Sequence, residues 1–297
     1  VARADVNLAP RWVAGEEARF EYTSDATRTD AIPAFKANQE QRTRQQMTLR
    51  RKVVETGPMG TVLELYFERI KVVVTQGRMF MLYDSSKPPE PDRSNVLEDA
   101  VQPVLNIPIR VVLTPEGTVK EISGLPEPRV VDGRARPLIL DQELLRDSLA
   151  ALYGMGKQPA AAKTGESWMF TEVLPSGENA TLTIRHKRSL ESVTDDLASI
   201  RGVATADFKP TPGAPRSDRL LARFDGASQH QWDLKRQQIG WMVIDQTTVM
   251  HDVIKQASSE HTTKVRVTLA AEGFPPPPSP DAESSKPPGE PGSPTAP

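Results

Sequence analysis

The chain has 297 residues, with 37 basic and 39 acidic side chains and a formal net charge of −2. That balance gives no electrostatic reason to expect a nucleic acid or an anionic membrane surface as partner. The chain contains no cysteine, which excludes disulfides, thiolate chemistry and cysteine-based zinc sites. It also contains no run of about 18 apolar residues, the length that a membrane-spanning helix needs.

Composition divides the chain into three parts. Residues 1–13 are predicted to be an N-terminal extension, and residues 14–272 a single β-sheet domain. Residues 273–297 include ten prolines and cannot bury enough apolar surface to offset the entropy of ordering, so a disordered tail is expected. Because the chain begins at Val1 rather than at methionine, we expect that a signal peptide has been removed.

The first predicted strand covers residues 16–24, where apolar and polar side chains alternate. Residues 25–37 contain Pro33 and are predicted to form a loop. Residues 39–55 are rich in arginine and glutamine, which suits a sheet edge or a solvated face. They are nevertheless predicted to form a strand, because their large apolar side chains recur with a period of two: Met47, Leu49 and Val53.

Residues 60–85 predict two long strands joined at Gln76–Gly77. The apolar set of the first strand changes phase along its length, from Leu63, Leu65 and Phe67 to Ile70, Val72 and Val74. Side chains alternate with period two, so the change requires an extra residue, and we expect a β-bulge near Glu68–Arg69. The return strand, 78–83, is apolar on both sides, which predicts that both of its faces are covered.

A short helix is predicted after Ser94, divided by Pro103. A hairpin should follow at 107–124 with its turn at Pro115–Gly117. Residues 141–153 are the clearest helix, capped by Asp141 and ended by Gly154. The leucines of this helix lie on one face: Leu144, Leu145, Leu149 and Leu152.

From residue 166 onward, the sequence again alternates in the manner of strands. The predicted strands are 166–174, 179–190, 197–208, 219–235, 241–255 and 260–270. With about eleven strands and short connections, the fold class is mainly β. We predict one large curved antiparallel sheet, similar to a half-barrel, with the amphipathic helix packed on its concave face.

The histidine and hydroxyl side chains form no pattern in the sequence that predicts a metal site or a catalytic site. None of the four histidines lies within four residues of another, so no paired metal ligands are seen, and no metal or cofactor is predicted. His186 and His230 are interpreted as partly buried, hydrogen-bonded sheet residues. Asp84, Ser85 and Ser86 are interpreted as a turn rather than as a nucleophile with its acid.

Trp168 and Phe170 share one strand face and are expected to meet the helix leucines. Core packing is the simpler interpretation. The alternative is an apolar groove between sheet and helix that binds a hydrophobic small molecule or lipid. The candidate ligand-binding residues are Leu145, Leu149, Leu152, Trp168 and Phe170.

Three short motifs carry a family resemblance. They are TPEGTVKEISG at 114–124, Gly165–Trp168 after the predicted helix, and Tyr83–Ser85. With these motifs, most of residues 14–272 resembles a family of uncharacterised exported bacterial proteins. Its layout is similar to the half-barrel lipoprotein carriers of bacterial envelopes, whose curved antiparallel sheet wraps helices around an apolar cavity. The resemblance implies an extracytoplasmic location, periplasmic or secreted. Such proteins are often anchored through an N-terminal cysteine, which this chain lacks.

Two functions of different class follow as hypotheses. The first is a non-enzymatic envelope protein that either binds a hydrophobic or lipid-like ligand between sheet and helix or acts as a scaffold. The second is a hydrolase whose site is assembled from distant strands. An enzyme should bring carboxylates or histidines together in a cleft, whereas a carrier should present a dry apolar hollow.

Overall fold

The computed structural model describes residues 5–32, 37–88, 95–115, 117–127, 130–131, 134–135, 145, 159, 161–175, 180–210, 219–252 and 257–269. Helix α1 covers Val96–Val101, and a 3-10 turn follows at Gln102–Val104. The strands are β1 Val6–Asn7, β2 Glu17–Ile32, β3 Ala37–Gly57, β4 Gly60–Gln76, β5 Met79–Asp84, β6 Ile109–Leu113, β7 Val119–Ser123, β8 Val130–Val131, β9 Arg134–Ala135, β10 Ala161–Ala162, β11 Ser167–Pro175, β12 Ala180–Thr194, β13 Leu197–Pro210, β14 Arg219–Asp233, β15 Gln238–Asp252 and β16 Ala257–Leu269.

Twelve of these strands form one large antiparallel sheet. The order is β11-β12-β13-β14-β15-β16-β2-β3-β4-β6-β7, and β5 also pairs with β4. The predicted fold class is therefore confirmed, with twelve strands where about eleven were expected. Strand β16 pairs with β2 along its length, which joins the two halves of the chain. The order ends at β11 and β7, so the sheet is open.

The predicted bulge in β4 is present. Thr48 of β3 lies opposite Arg69, whereas the next residue, Leu49, lies opposite Phe67, so Glu68 is the extra residue. An extra residue reverses the alternation. As a result, Phe67 and Ile70 are both buried on the same face, 4% and 0% exposed.

The apolar side of the sheet, here called the inner face, is organised in rows of side chains that run across the strands. Successive rows are about 7 Å apart, because two residues of a strand separate them. The deep row is almost entirely buried and contains Leu190, Ile200, His230, Met242, Val267, Tyr22, Met47 and Ile70. The middle row contains Trp168, Arg188, Gly202, Ser228, Ile244, Val265, Ser24, Gln45, Val72 and Tyr83. The rim row contains Phe170, His186, Ala204, Gly226, Gln246, Thr263, Ala26, Thr43, Val74 and Met81.

Segments from outside the large sheet share its hydrophobic core. Leu8 in the N-terminal extension is 0% exposed, and Val101 and Val104 of the α1 region are also fully buried. Leu145 is helical and 2% exposed in the same core. The other residues of the predicted helix, 141–144 and 146–153, lie outside the described residues, as does the predicted tail, 273–297.

Two expectations about local structure were wrong. Residues 25–32 are not a loop, because β2 continues to Ile32 and pairs with β3 throughout. Asp25 forms ion pairs with Arg42 and Arg44 of β3, so the polar composition marks a solvated strand face. The return strand β5 is not covered on both sides, since Phe80 is 64% exposed.

The short helix formed where it was expected, but with a different cap. Asn95 rather than Ser94 caps α1, since its side chain accepts a hydrogen bond from the backbone N–H of Leu97. The hairpin of β6 and β7 is also present.

Gly60 provides a test of the packing between β4 and β6. Its φ is +125°, and a Cβ there would lie 1.9 Å from the carbonyl oxygen of Leu113. We therefore expect Gly60→Ala to lower the free energy of unfolding by more than about 2 kcal/mol. Gly57 lies opposite Gly60 across the turn, and a Cβ there would meet nothing within 4 Å beyond its chain neighbours. Gly57→Ala should change stability by less than about 1 kcal/mol. Urea denaturation measures both, and equal effects would contradict the prediction.

Candidate ligand-binding face

The structure brings together some of the residues that the sequence proposed as a site. Trp168 lies opposite Arg188 in the sheet, and Phe170 lies opposite His186. Both aromatic side chains are partly buried on the inner face. Leu145 belongs to the hydrophobic core that Trp168 packs against. Leu149 and Leu152 lie outside the described residues.

Phe170 is enclosed by two nitrogen-bearing side chains of β12. The imidazole of His186 stacks on its ring, with 4.5 Å between centroids and 11° between planes. The guanidinium carbon of Arg188 lies 4.8 Å from the Phe170 ring centroid. His186 Nε2 is 3.3 Å from Glu172 Oε2, so the carboxylate lies next to the ring stack. Aromatic stacking and cation–π contact thus hold this end of the sheet together.

Arg188 is unusual because it is only 6% exposed on a face that is largely apolar. Gly202, its neighbour on β13, has no side chain to compete for space. A Cβ at Gly202 would lie 3.3 Å from Arg188 Cγ and 2.3 Å from Ser228 Oγ. The glycine therefore leaves free the space between the arginine stem and the serine hydroxyl, which a Cβ would fill. Burial lowers the pKa of Arg188 to about 10, and the charge of Glu172 only partly opposes this.

His230 is the most deeply buried titratable side chain of this region, at 1% exposure. Its Nε2 is hydrogen-bonded to Ser228 Oγ at 3.0 Å. Burial, together with the nearby charges of Arg188 and His186, holds the pKa of His230 well below its usual value. The imidazole is therefore neutral at physiological pH, because burial in a low-dielectric environment disfavours its charged form.

Three buried ring nitrogens of the inner face have no hydrogen-bond partner within the described part of the chain. They are Trp168 Nε1, Trp232 Nε1 and His230 Nδ1. An unsatisfied buried polar atom costs about 1–3 kcal/mol. Such atoms are scarce in folded proteins.

Sequence reasoning identified Trp168 and Phe170 but missed Arg188 and Ser228. It did interpret His186 and His230 as hydrogen-bonded sheet residues, and both form the hydrogen bonds described above. The available signal was the phase of the strand. Arg188 continues the alternation that places Ile184 and His186 on one face. The sequence alone could therefore have predicted an arginine on the apolar face.

Among the described residues, Ser228 and His230 do not form a hydrolytic triad. A triad requires a third group to orient the histidine through its second nitrogen. Within the described ranges, His230 Nδ1 has no such partner, and Glu172 is engaged with His186 instead. At the other candidate, Asp84 accepts hydrogen bonds from the backbone N–H and hydroxyl of Ser86.

Those Ser86 hydrogen bonds, with Arg69 nearby, lower the pKa of Asp84 to about 2. Ser85 Oγ accepts a hydrogen bond from the backbone N–H of Ile70 at 2.9 Å. Both serines therefore serve the turn after β5, as the sequence predicted.

A cavity of about 780 Å³ lies at the end of the sheet rather than beside Trp168. Its lining includes Arg11, Arg19, Arg50, Lys235 and Arg236 together with Glu16 and Glu17. This charged lining differs from the dry hollow expected of a carrier. Among the residues that the structure describes, no group of three histidines and carboxylates could hold a metal ion. The same residues include no helix long and apolar enough to cross a membrane.

The fold and the inner face together define the structural class of this protein. It is an open antiparallel sheet whose apolar inner face contains a cluster of buried polar side chains. No protein-family model matches the chain, and no curated protein matches it either. The resemblance to exported bacterial proteins therefore stays a prediction.

Three solved structures are similar to the chain at low sequence identity. A structure described as showing lipid–protein interactions in lipovitellin has a TM-score of 0.50 and 10% identity, over 91% of this chain and 26% of that one. The chain thus spans about a quarter of that protein. An outer membrane channel from Pseudomonas putida has a TM-score of 0.25 and 9% identity, over 88% of this chain and 97% of that one. The translocator domain of the autotransporter NalP from Neisseria meningitidis has a TM-score of 0.26 and 10% identity, over 88% and 90%.

The burial of His230 predicts a pH-dependent stability. The folded chain keeps His230 neutral, whereas the unfolded chain protonates it with a pKa near 6.5. Below about pH 6.5 the unfolded state binds the extra proton, so the free energy of unfolding falls, by up to about 1.4 kcal/mol per pH unit. Urea denaturation between pH 7 and pH 5 should show this slope.

His230→Gln should flatten the slope while keeping a partner for Ser228. The slope that is left should come from His261, whose pKa is lowered by burial and by Arg28. An unchanged slope in His230→Gln would mean that His230 does not titrate in this way.

Proposed function

We propose that this chain is a non-enzymatic, extracytoplasmic protein that binds a lipid-like ligand against the inner face of its sheet. The observation that carries the proposal is the unequal covering of that face. The deep row is buried, whereas three apolar side chains of the middle row are only partly buried. These side chains, here called the apolar shelf, are Trp168, Ile244 and Val265.

The apolar shelf lies in the middle row, between a buried apolar row and a rim row that contains polar residues. The rim includes Gln246, Thr263 and Thr43. A ligand with an apolar chain would remove the shelf from water, and each square ångström so buried contributes about 25 cal/mol. Ile244 and Val265 lie opposite each other on neighbouring strands, whereas Trp168 lies four strands from Ile244, beyond Arg188, Gly202 and Ser228.

The fold comparison supports the same proposal in a limited way. The lipovitellin structure, whose description refers to lipid–protein interactions, shares this arrangement of strands at 10% identity. Fold alone does not transmit function. The proposal therefore depends on the chemistry of the inner face, and the fold comparison adds only a likeness to a protein whose structure is described by its lipid–protein interactions.

An isosteric change on the shelf tests the proposal. Val265→Thr keeps the shape and adds one hydroxyl group. Burying that hydroxyl group under an apolar ligand costs about 1 kcal/mol or more, so the uncharged probe N-phenyl-1-naphthylamine should bind about fivefold more weakly or worse. A fluorescence titration of the full chain measures the affinity.

Val203→Thr is the matched control, because Val203 is 51% exposed and lies opposite Ala227 and Lys187, away from the inner face. It should bind the probe as the wild type does. Failure of the wild type to bind the probe, or equal weakening by both substitutions, would contradict the proposal.

A further inference from the structure

The hairpin of β4 and β5 presents apolar side chains to solvent beside its turn. The turn is tight, because Gln76 pairs with Met79 across it. Met79 is 44% exposed, Phe80 64% and Leu82 38%, and these three residues are here called the hairpin tip. Among the described residues, Phe80 is the one exposed aromatic side chain. Single exposed apolar residues are ordinary on a protein surface, whereas a contiguous group is typical of an interaction site.

The side chains of the hairpin tip lie on both faces of the sheet, because successive residues of a strand alternate. Met79 continues the inner-face series of Tyr83 and Met81 and lies one position beyond the rim row. Phe80 and Leu82 point to the outer side. A folded partner packed against one face would leave the other in water. Acyl chains that surround the tip would cover both faces at once.

Burial decreases along β5 toward the turn. Tyr83 is 8% exposed, Met81 is partly buried and Met79 is 44% exposed. Residues 72–83 contain a single charged side chain, Arg78, in the turn itself. The long stem of an arginine can stay among apolar groups while its guanidinium binds lipid phosphates. This end of the hairpin therefore has the composition of a segment that enters a membrane surface.

Positive charge also lies beside the tip on the outer side of the sheet. Arg42 and Arg44 of β3 are two strands from the hairpin tip. Both arginines pair with one carboxylate, that of Asp25, so the three side chains together carry a positive charge. Cations next to an exposed apolar group are complementary to a membrane surface, where lipid phosphates lie next to acyl chains.

An added β-strand fits the edge of β5 less well than a lipid surface does. The backbone carbonyl of Leu82 already accepts a hydrogen bond from Asn95 Nδ2 at 3.0 Å, and the same side chain caps α1. A strand added at Leu82 would have to displace this contact. A lipid surface needs no backbone hydrogen bond from β5, and water in the interfacial region still serves the backbone groups at the strand edge.

We propose that the hairpin tip inserts into the interfacial region of a lipid bilayer, with its three apolar side chains at the start of the acyl chains and Arg78 at the phosphates. The apolar side chains provide the affinity, so no excess of anionic lipid is required, in keeping with the net charge of −2. This membrane contact goes beyond the proposed function and does not depend on it, because the apolar shelf lies on other strands.

Co-sedimentation of the full chain with dioleoylphosphatidylcholine vesicles measures the contact. Wild type should partition to the vesicles. Met79→Gln and Phe80→Gln should each weaken partitioning by about fivefold or more, because each removes apolar surface that lipid would bury. Met59→Gln is the matched control, since Met59 lies in the turn at the other end of β4 and is 83% exposed. It should change partitioning less than about twofold, because that turn does not enter the bilayer.

A fluorescent label reports insertion directly. The chain has no cysteine, so Met79→Cys carries a nitrobenzoxadiazole label at that position alone. Vesicles should raise the intensity of this label and shift its emission to the blue, because it moves from water to an apolar environment. The same label on Met59→Cys should show neither change.

The possible outcomes keep the inference open to contradiction. Absence of partitioning by wild type would overturn it, as would equal losses in Met79→Gln and Met59→Gln. A dimer in analytical ultracentrifugation that Phe80→Gln dissociates, without partitioning to vesicles, would assign the tip to a second copy of the chain and also overturn it.

The test also separates this inference from the proposed function. Val265→Thr should partition to vesicles as wild type does. Binding of N-phenyl-1-naphthylamine without partitioning to vesicles would overturn the membrane contact alone. Partitioning to vesicles without binding of that probe would support the membrane contact and contradict only the proposed function.

Discussion

The alternation of side chains across a single open sheet is the constraint on which the rest of the structure depends. A slip of one residue in any strand would move its apolar set to the opposite face. The chain preserves the phase with bulges, at Glu68 in β4 and at Gly240 in β15, where Trp232 lies opposite Ile239 and Gln231 opposite Trp241. These extra residues keep the deep row continuous across the strands, and that continuity is what creates an inner face at all.

The outer side of the same sheet contains ion pairs between neighbouring strands. Arg50 of β3 pairs with Glu68 of β4 at 3.0 Å, and Lys264 of β16 pairs with Asp245 of β15 at 3.4 Å. An exposed pair such as Lys264–Asp245 contributes about 0–1 kcal/mol, so such a pair adds little to stability by itself. Their positions matter more for strand register than for stability. Each pair joins neighbouring strands in the register that aligns the apolar rows of the inner face. Like charges opposite one another would disfavour that register.

The sequence predicted those parts of the fold that depend on local alternation. The shift from Phe67 to Ile70 predicted the bulge in β4, and the shared parity of Trp168 and Phe170 predicted their common face. It failed for residues 25–32, because polar composition there resembles a loop until the partner arginines of β3 are known. The convergence of Arg188, Ser228 and His230 was beyond prediction for a related reason. It depends on the registers of β12, β13 and β14, which bring together residues far apart in the chain, and local alternation does not determine such registers.

Two buried arginines of this sheet show how differently a buried cation can be used. Arg51, 2% exposed, donates hydrogen bonds to Glu16 and Gln238, each at 3.1 Å, and its guanidinium lies 5.0 Å from the Trp12 ring. A carboxylate at contact distance makes Arg51 a connector between β3, the N-terminal segment and the start of β15.

Arg188 is nearly as buried, and burial lowers its pKa to about 10 although the charge of Glu172 opposes part of that effect. The glycine at 202, which makes room for its stem, indicates that the local packing accommodates this cation.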